Sequence, residues 1–363
     1  MLLFVKYLKP FQIFTFLCIM TTPVSHFKAI QMIGTQRSGS NLLRLMLNQV
    51  PEIYAPHPPH ILHLFYPLLA GYGDLKEDRN FESLIDDVCR YIELNPVPWE
   101  NADLDRVKVA ALCKRRTLLE VFIRINEMQC VANHKAIWCC KSLETVYYLD
   151  NFAKEDFRPF IIYLVRDGRD VALSFKKIMI GEKHIYHLAA KWKKEQDLAL
   201  NYLDTLPAEA YIIVRYENLV ADPASVMKEI CAKLGVVYSD SVLNYYQSNE
   251  SHKTAESGKM WENVEKPVMK DNTGKYKSEF SHFDLQLFER IAGDTMDRLA
   301  YKREISDMER VEMKPEHLED FNQENERLKK LAVEEASQKD IQKRKPQKEF
   351  LEQLKLKLSK ASS

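Results

Sequence analysis

Residues 29–47 read AIQMIGTQRSGSNLLRLML, and this stretch decides the fold. Residues 29–33 form a short apolar run typical of a buried strand, and residues 42–47 are typical of an apolar helix. A turn that joins a strand to a helix points backbone N–H groups and the positive helix end at one spot, which suits a phosphate. We therefore expect a phosphate-binding loop, whose candidate ligands are Arg37, Ser38, Gly39, Ser40 and Asn41.

The spacing of Gly34 and Gly39 resembles a P-loop, but the following residues differ. An ATP-type P-loop continues with Lys and then Ser or Thr, whereas Ser40 and Asn41 stand at those positions here. The positive charge has moved into the loop, to Arg37. This departure argues against a kinase or ATPase, and an ordinary glycine-containing turn is the alternative interpretation.

The rest of the chain alternates short apolar runs with helical patterns. Strands are expected at residues 136–140, 160–165 and 211–214, and helices at residues 171–180, 187–206 and 223–234. Strands that alternate with helices predict a parallel sheet. We therefore expect an α/β fold with a P-loop-NTPase-like parallel sheet flanked by helices.

Residues 165–175, VRDGRDVALSF, form a second motif at the end of the clearest strand. Arg166 stands at the carboxyl end of that strand, where open α/β sheets bind ligands. Ser174 follows eight residues later, about two helical turns away. A phosphate that bridges the strand end and the helix would nevertheless reach both residues. The alternative is a solvated cluster in which Arg166 pairs with Asp167 or Asp170.

Taken together, these motifs resemble the PAPS-dependent sulfotransferases, where PAPS is 3'-phosphoadenosine-5'-phosphosulfate. The resemblance is to the branch of tyrosylprotein sulfotransferases and many bacterial relatives, and it covers roughly residues 29–300. It implies that the RSGS loop binds the 5'-phosphosulfate and that Arg166 and Ser174 bind the 3'-phosphate. A third family pattern appears as RYENLVADP at residues 215–223, and it implies that Tyr216 lies near the adenine.

The same resemblance assigns roles to three lysines. Lys141 follows the strand expected at residues 136–140 and would neutralise the transferring sulfuryl group, although the family's nearby proline is missing. The late sequence Gly274-Lys275-Tyr276-Lys277 partly matches a family loop in which a tryptophan precedes the last basic residue. Lys275 and Lys277 would then bind phosphates as point charges.

Sulfuryl transfer to a hydroxyl also requires a general base, and histidine suits this role. Tyrosylprotein relatives carry a glutamate in the loop after the first helix, but here that loop reads APHPPH at residues 55–60. His57 lies closest to the acidic position, and His60 is the alternative. Either of them could instead be an ordinary surface histidine.

The composition limits the possible partners. Lys and Arg number 52 and so do Asp and Glu, so the formal net charge of zero gives no support for bulk nucleic-acid binding. The seven cysteines form no CxxC pair, so neither a zinc site nor a disulfide framework is expected. Because fixed cations would hold the nucleotide, we expect PAPS as co-substrate and no required metal.

Both ends of the chain differ from the middle. Residues 1–28 form an apolar segment that is a signal, an anchor or the product of a start codon upstream of the true one at Met20. We expect a cytoplasmic protein, with membrane anchoring as the alternative. Residues 301–363 are rich in Glu, Lys and Gln, and we expect a solvated helix or partly disordered tail, available for self-association or a partner.

The acceptor stays open at this stage, as a small molecule, a carbohydrate or a protein tyrosine. Two other functions are also consistent with a phosphate-binding loop. One is an ATP-dependent small-molecule kinase, against which the missing P-loop lysine argues. The other is a non-catalytic nucleotide-binding scaffold, against which the presence of Arg37, Lys141, Arg166 and Ser174 argues.

Overall fold

The computed structural model describes residues 28–306, 315–335 and 338–361. Within these ranges one five-stranded sheet has the order β2-β3-β1-β4-β5, and each pair of neighbours is parallel. The expected α/β fold with a central parallel sheet is therefore confirmed. The strands are β1 (Ala29–Gly34), β2 (Ile53–Tyr54), β3 (Ile137–Cys140), β4 (Phe160–Val165) and β5 (Tyr211–Arg215).

Helices cover both faces of the sheet, and many are short. They are α1 (Ser40–Leu47), α2 (Ile61–Phe65), α3 (Asp78–Glu93), α4 (Arg106–Leu112), α5 (Leu118–Ala132), α6 (Asp150–Lys154), α7 (Gly168–Lys176), α8 (Ile185–Leu203), α9 (Tyr216–Ala221), α10 (Pro223–Leu234), α11 (Asn249–Glu256), α12 (Tyr276–Glu279), α13 (His282–Arg298), α14 (Pro315–Glu334) and α15 (Gln338–Ala361). Single 3-10 turns occupy Tyr66–Tyr72, Leu143–Tyr148, Ala208–Ala210, Asp240–Gln247 and Lys259–Glu265.

Strand β4 shows how one apolar run builds two cores. All six of its residues are buried. Phe160, Ile162 and Leu164 pack into the core on one face of the sheet, while Tyr163 and Val165 pack into the core on the other. Successive strand residues point to opposite faces. A strand buried on both sides is therefore continuously apolar, as is usual for a parallel sheet.

Strand β2 is the element that the sequence pattern did not predict. It has two residues, Ile53 and Tyr54, and they pair with Ile137 and Trp138 of β3. So short a run carries no measurable alternation, and prolines stand nearby on both sides. The strand matters because the histidine loop starts directly after it, at the same edge of the sheet as the phosphate loop.

The described parts of the C-terminal tail include two helices, α14 and α15, in keeping with the helical alternative, and they pack on the rest of the chain. Leu354 and Leu358 of α15 are 3% and 6% exposed. A side chain at Gly71 would meet Leu358 at 2.6 Å, so the glycine permits close approach of the helix. These two leucines are four residues apart and share one face of the helix. They were hidden within a highly charged composition.

The ends of the chain need separate mention. Residues 1–27, on which the signal, anchor and start-site hypotheses depend, lie outside the described residues. No helix within the described ranges is both long and apolar enough to cross a membrane. The same ranges contain no group of three or more His, Cys, Asp or Glu side chains arranged to hold a metal ion.

The packing of α15 can be tested by truncating one leucine. We predict that Leu354→Ala lowers the free energy of unfolding by about 2–3 kcal/mol, because a buried leucine is replaced by a cavity. Leu356→Ala on the same helix is the control, since Leu356 is 63% exposed and should change stability by less than about 0.5 kcal/mol. Urea unfolding of both variants measures the difference, and equal values would mean that α15 does not pack as described.

Candidate active site

The carboxyl ends of the five described strands meet along one edge of the sheet, and each is followed by a candidate site residue. These residues are Arg37 after β1, His57 after β2, Lys141 after β3, Arg166 after β4 and Tyr216 after β5. All five line one cleft of about 840 Å³. Ligands of open α/β sheets bind at this edge. The geometry therefore brings together residues that lie far apart in sequence.

The phosphate loop after β1 depends on Gly39. Its φ is +89°, and a Cβ there would lie 2.4 Å from Cδ2 of Tyr216. Arg37 also adopts a left-handed backbone, with φ +72°. Two buried polar atoms of the loop region, Ser38 Oγ and Asn41 Oδ1, have no hydrogen-bond partner among the described residues. Buried polar atoms are usually paired, so these two are available to a ligand.

Arg37 connects the phosphate loop to the second motif. Its Nε donates to Ser174 Oγ at 3.1 Å, and Nη1 of Arg166 donates to the carbonyl of Arg37 at the same distance. The eight residues that separate Arg166 from Ser174 are thus bridged by Arg37. Burial in the cleft, followed by repulsion from Arg166, lowers the pKa of Arg37 to about 10. Two neighbouring guanidinium groups in one cleft favour an anionic ligand.

Arg166 does not belong to a solvated ion cluster. It is 6% exposed, and its Nη2 donates to the carbonyl of Asn272 at 2.8 Å. Asp170 lies 3.7 Å from it, but the shorter contacts of Asp170 are to the backbone N–H groups of Gly274 and Tyr276, at 2.7 and 3.1 Å. The aspartate therefore holds the late loop against the strand end and leaves the guanidinium facing the cleft.

Tyr216 and Asn272 complete this side of the cleft. The guanidinium of Arg166 lies 4.4 Å from the ring centroid of Tyr216. Asn272 Nδ2 donates to the Tyr216 hydroxyl at 2.8 Å. The ring is therefore fixed by the loop on one side and by Arg166 on the other, and it packs against Gly39.

The two lysines of the late loop have different positions. Lys275 lines the cleft, as expected for a phosphate ligand. Lys277 is not among the lining residues. It is 64% exposed and lies 3.4 Å from Glu304. The structure therefore does not bring Lys277 to the cleft with Lys275, because α12 starts at Tyr276 and directs Lys277 to solvent.

Lys141 is buried at the base of the cleft. Nε2 of Gln31 donates to the carbonyls of Cys140 and Ser142, each at 3.2 Å, and so fixes the backbone on both sides of the lysine. Burial, together with the charge of Arg44, lowers the pKa of Lys141 to about 7. An anion bound beside Lys141 would raise its pKa again, because opposite charges favour the charged form.

His57 is buried directly beside Lys141's charge. Neither ring nitrogen has a hydrogen-bond partner among the described residues. Its ring centroid lies 4.9 Å from that of Trp261 in an edge contact. Burial, then the charge of Lys141, lowers the pKa of His57 well below its ordinary value. The imidazole is therefore neutral near pH 7 and has both nitrogens available.

His60 has a carboxylate partner that the sequence analysis missed. Its Nδ1 lies 3.4 Å from Oε2 of the buried Glu144, whose other oxygen accepts a hydrogen bond from Gln36. Burial alone would raise the pKa of Glu144, but the hydrogen bond and charge of His60 hold this pKa below its usual range. An imidazole oriented by a carboxylate is a common arrangement for a general base. The structure thus leaves both histidines as candidates, in different settings.

Besides Glu144, three cleft residues were missed, and the sequence signals of these four residues differ. Glu144 follows Lys141 by three residues, so the position of β3 could have suggested it. Asn272 lies inside the late loop that had been noticed for its lysines. Trp261 and Arg344 line the cleft from distant parts of the chain and carry no local motif.

A cleft with clustered cations at the carboxyl edge of a parallel sheet suits an anionic ligand. The Sulfotransferase family profile matches residues 29–240, which is more than half of the chain. The chain therefore belongs to the sulfotransferase family. Comparison with curated proteins found no match.

Solved sulfotransferase structures share the fold. The sulfotransferase domain of the olefin synthase from Synechococcus PCC 7002 is 22% identical, with a TM-score of 0.51, and the match covers 77% of this chain and 96% of that domain. The sulfotransferase domain from the curacin biosynthetic pathway is 21% identical, with a TM-score of 0.50, and the match covers 77% and 98%. At these identities the similarity shows a common fold.

Proposed function

We propose that this sulfotransferase takes its sulfuryl group from PAPS and transfers it to an acceptor hydroxyl by in-line displacement at sulfur. The observation that carries the proposal is the meeting of Arg37, Lys141 and Arg166 in one cleft. The chain as a whole has no net charge. A local concentration of cations in a neutral protein favours a strongly anionic ligand, and PAPS carries two phosphates and a sulfate.

The residues present fit both charged ends of PAPS. The backbone of the phosphate loop and Ser38 Oγ, which has no partner in the described ranges, would hold the 5'-phosphosulfate. Arg166 and Ser174, joined through Arg37, would hold the 3'-phosphate. Nε of Arg166 is likewise buried without a hydrogen-bond partner in the described part of the chain. Lys275 would add a point charge, and Tyr216 would contact the adenine.

The reaction forms one bond at sulfur and breaks another. The acceptor oxygen attacks sulfur, and the bond from sulfur to the bridging phosphate oxygen breaks, so that 3',5'-bisphosphoadenosine leaves. His57 or His60 takes the hydroxyl proton. Arg37 and Lys141 stabilise negative charge on the bridging and sulfuryl oxygens, and such fixed charges supply much of the acceleration in transfers of this type. Because these cations are part of the protein, we propose no metal for the step.

Transfer itself can be tested directly. We propose to incubate the full chain with radiolabelled PAPS and a cell extract, and to follow the label into products. Labelled product that forms with the wild type and not with Lys141→Met supports sulfuryl transfer. If PAPS binds but no acceptor is labelled, the nucleotide-binding scaffold becomes the better interpretation.

The 3'-phosphate separates PAPS from ATP, so Arg166 gives a sharp prediction. Arg166→Ala should weaken the binding of 3',5'-bisphosphoadenosine by roughly ten- to a hundredfold, because a hydrogen bond to a charged group is lost. The binding of AMP, which lacks the 3'-phosphate, should weaken much less. Equilibrium dialysis of both nucleotides with both proteins measures this difference.

The comparison of two nucleotides is the control for a folding defect. Arg166 also donates to the carbonyls of Arg37 and Asn272, so its removal could disturb the loops. Such a disturbance would weaken the binding of both nucleotides to the same extent. Equal losses, or a wild type with no preference for the bisphosphate, would contradict the PAPS assignment and favour a kinase.

The lowered pKa of Lys141 predicts how nucleotide affinity depends on pH. Its pKa is about 7 in the free protein, and a bound anion raises the pKa. Below pH 7 the lysine is protonated before and after binding, whereas above pH 7 binding must take up a proton. Affinity for 3',5'-bisphosphoadenosine should therefore fall as pH rises from 7 to 9, by up to about tenfold per pH unit.

Lys141→Met should remove most of this dependence, because the methionine cannot take up a proton. Lys135→Met is a matched control, since burial also lowers the pKa of Lys135 but the residue lies outside the cleft lining. Dialysis at pH 7, 8 and 9 gives the three profiles. A wild-type profile as flat as that of Lys141→Met would show that Lys141 does not bind the anion.

The general base is decided by two single variants. His57→Ala should lower turnover by roughly a hundred- to ten-thousandfold while nucleotide affinity stays nearly unchanged, because only the proton acceptor is removed. If His60 is the base, His60→Ala shows that loss instead, and Glu144→Gln reproduces part of it. Near-normal turnover in both alanine variants would place the base elsewhere.

A further inference from the structure

The C-terminal helices α14 and α15 lie against the cleft, although they fall outside the residues that the family profile matches. Ala332 of α14, Glu335 directly after it, and Arg344 and Gln347 of α15 are part of the cleft lining. A segment that sequence alone presented as a charged extension thus supplies part of the wall of the candidate active site. The position of this wall relative to the histidines determines which ligand it would contact.

Helix α15 is anchored to two other helices and to the core. Gln347 Nε2 donates to the carbonyl of Tyr91 in α3 at 3.0 Å. Lys343 Nζ donates to the carbonyl of Glu256, at the end of α11, at 2.6 Å. Further along, Leu354 is buried in the main core. These contacts fix the position of α15 against the rest of the chain.

Helix α14 holds a second part of the cleft lining. Oδ1 of Asn325, a residue that is 3% exposed, accepts hydrogen bonds from the backbone N–H groups of Lys183 and His184, at 2.8 and 3.0 Å. Phe321 stacks on the ring of His184, with centroids 4.6 Å apart. The segment fixed in this way begins with residues 178–180, which line the cleft.

Arg344 of α15 is separated from His57, a candidate base, by the ring of Trp261. The guanidinium carbon of Arg344 lies 4.6 Å from the ring centroid of Trp261. The same indole makes the edge contact with His57 at 4.9 Å. If His57 is the base, the acceptor hydroxyl approaches on the His57 side of the cleft, because the base takes its proton there. In that case Arg344 lies on the acceptor side.

We propose that α14 and α15 form the acceptor wall of this sulfotransferase and restrict it to small hydroxyl compounds with an apolar body. This inference rests on the proposed function, since it assigns the substrate class of the same site. It chooses among the three acceptor classes that the sequence left open.

The size of the cleft favours a small acceptor. Its volume of about 840 Å³ must hold both the nucleotide and the acceptor, and it lies within the range of roughly 300–1,000 Å³ of small-molecule sites. A folded protein acceptor would need an open face, because specific protein interfaces bury about 1,200–2,000 Å².

The chemistry of the lining favours an apolar body. The cleft lining includes proline, aromatic and methionine side chains, namely Pro58, Pro59, Tyr91, Pro96, Met260 and Trp261, and Trp261 contacts the His57 ring directly. A carbohydrate would expose many hydroxyl groups to this surface, and each would lose hydrogen bonds to water. A phenol or an aliphatic alcohol buries carbon against it and presents one hydroxyl to the histidines.

Three probes test the proposal on the full-length protein loaded with 3',5'-bisphosphoadenosine. They are 2-naphthol, glucose and a tyrosine-containing acidic peptide, and equilibrium dialysis measures their binding. We expect 2-naphthol to bind more tightly than the other two. Arg344→Ala should weaken the binding of 2-naphthol by about tenfold, because the planar cation that packs on Trp261 is lost. The affinity for the bisphosphate should stay unchanged.

Two further variants keep the test interpretable. Arg327→Ala on α14 is the matched control, since Arg327 is 60% exposed and pairs with Glu324 on the same helix; it should bind 2-naphthol like the wild type. Arg344→Lys keeps the charge but lacks the planar guanidinium, and it should give a smaller loss. Circular dichroism checks that each variant is folded.

The outcomes separate this inference from the proposed function. Three outcomes would each contradict the proposed acceptor wall. They are tighter binding of the peptide or of glucose than of 2-naphthol, no binding of 2-naphthol, and equal affinities for 2-naphthol in Arg344→Ala and Arg327→Ala. Failure of the bisphosphate to bind the wild type would instead count against the PAPS assignment. In that case the binding of 2-naphthol is measured with the nucleotide-free proteins. A loss of about tenfold in affinity for 2-naphthol in Arg344→Ala would still support the acceptor wall, and no loss would contradict it.

Discussion

Parallel hydrogen bonding of β1 with β3 and β4 is the constraint on which the rest of the structure depends. Ile30 pairs with Cys139 on one side and with Phe160 on the other, so β1 runs parallel to two strands that lie more than a hundred residues further along the chain. Parallel strands end at one edge, and the turns that follow them are therefore neighbours. The phosphate loop, the buried lysine and Arg166 meet there for this reason, and β2 and β5 add the histidines and Tyr216.

Buried cations that repel one another are clustered at that edge of the sheet, which is electrostatically unfavourable in the free protein. Burial and mutual repulsion lower the pKa of Arg37 to about 10 and that of Lys141 to about 7. Charged groups held close together without full compensation are unfavourable in the free protein and become favourable when an anion arrives. Backbone and side-chain contacts hold them in place in the meantime, through Gln31 on either side of Lys141 and Asp170 beneath the late loop.

The helical tail shows how a segment of ordinary composition acquires a place in a site. Arg344 of the tail lines the cleft, Leu354 packs in the core and Asn325 accepts hydrogen bonds from a cleft-lining segment. The anchoring contacts are with backbone groups of α3 and α11, and these depend on the shape of the surface rather than on a motif. On the proposed function, residues of this kind would adapt a common fold to a particular acceptor, since functional sites are built onto folds rather than fixed by them.

By itself the sequence determined the local elements: the apolar runs of β1 and β4, the glycine turn between β1 and α1, and the motifs around Arg37, Arg166 and Tyr216. These follow from side-chain periodicity and turn chemistry within a few residues. Only the tertiary structure decided that the two-residue β2 pairs with β3, that Glu144 lies beside His60, that Lys277 points to solvent and that Arg344 packs on Trp261. The physical reason is that these contacts join residues distant in sequence, so their geometry exists only after the sheet has assembled and the helices have packed on it.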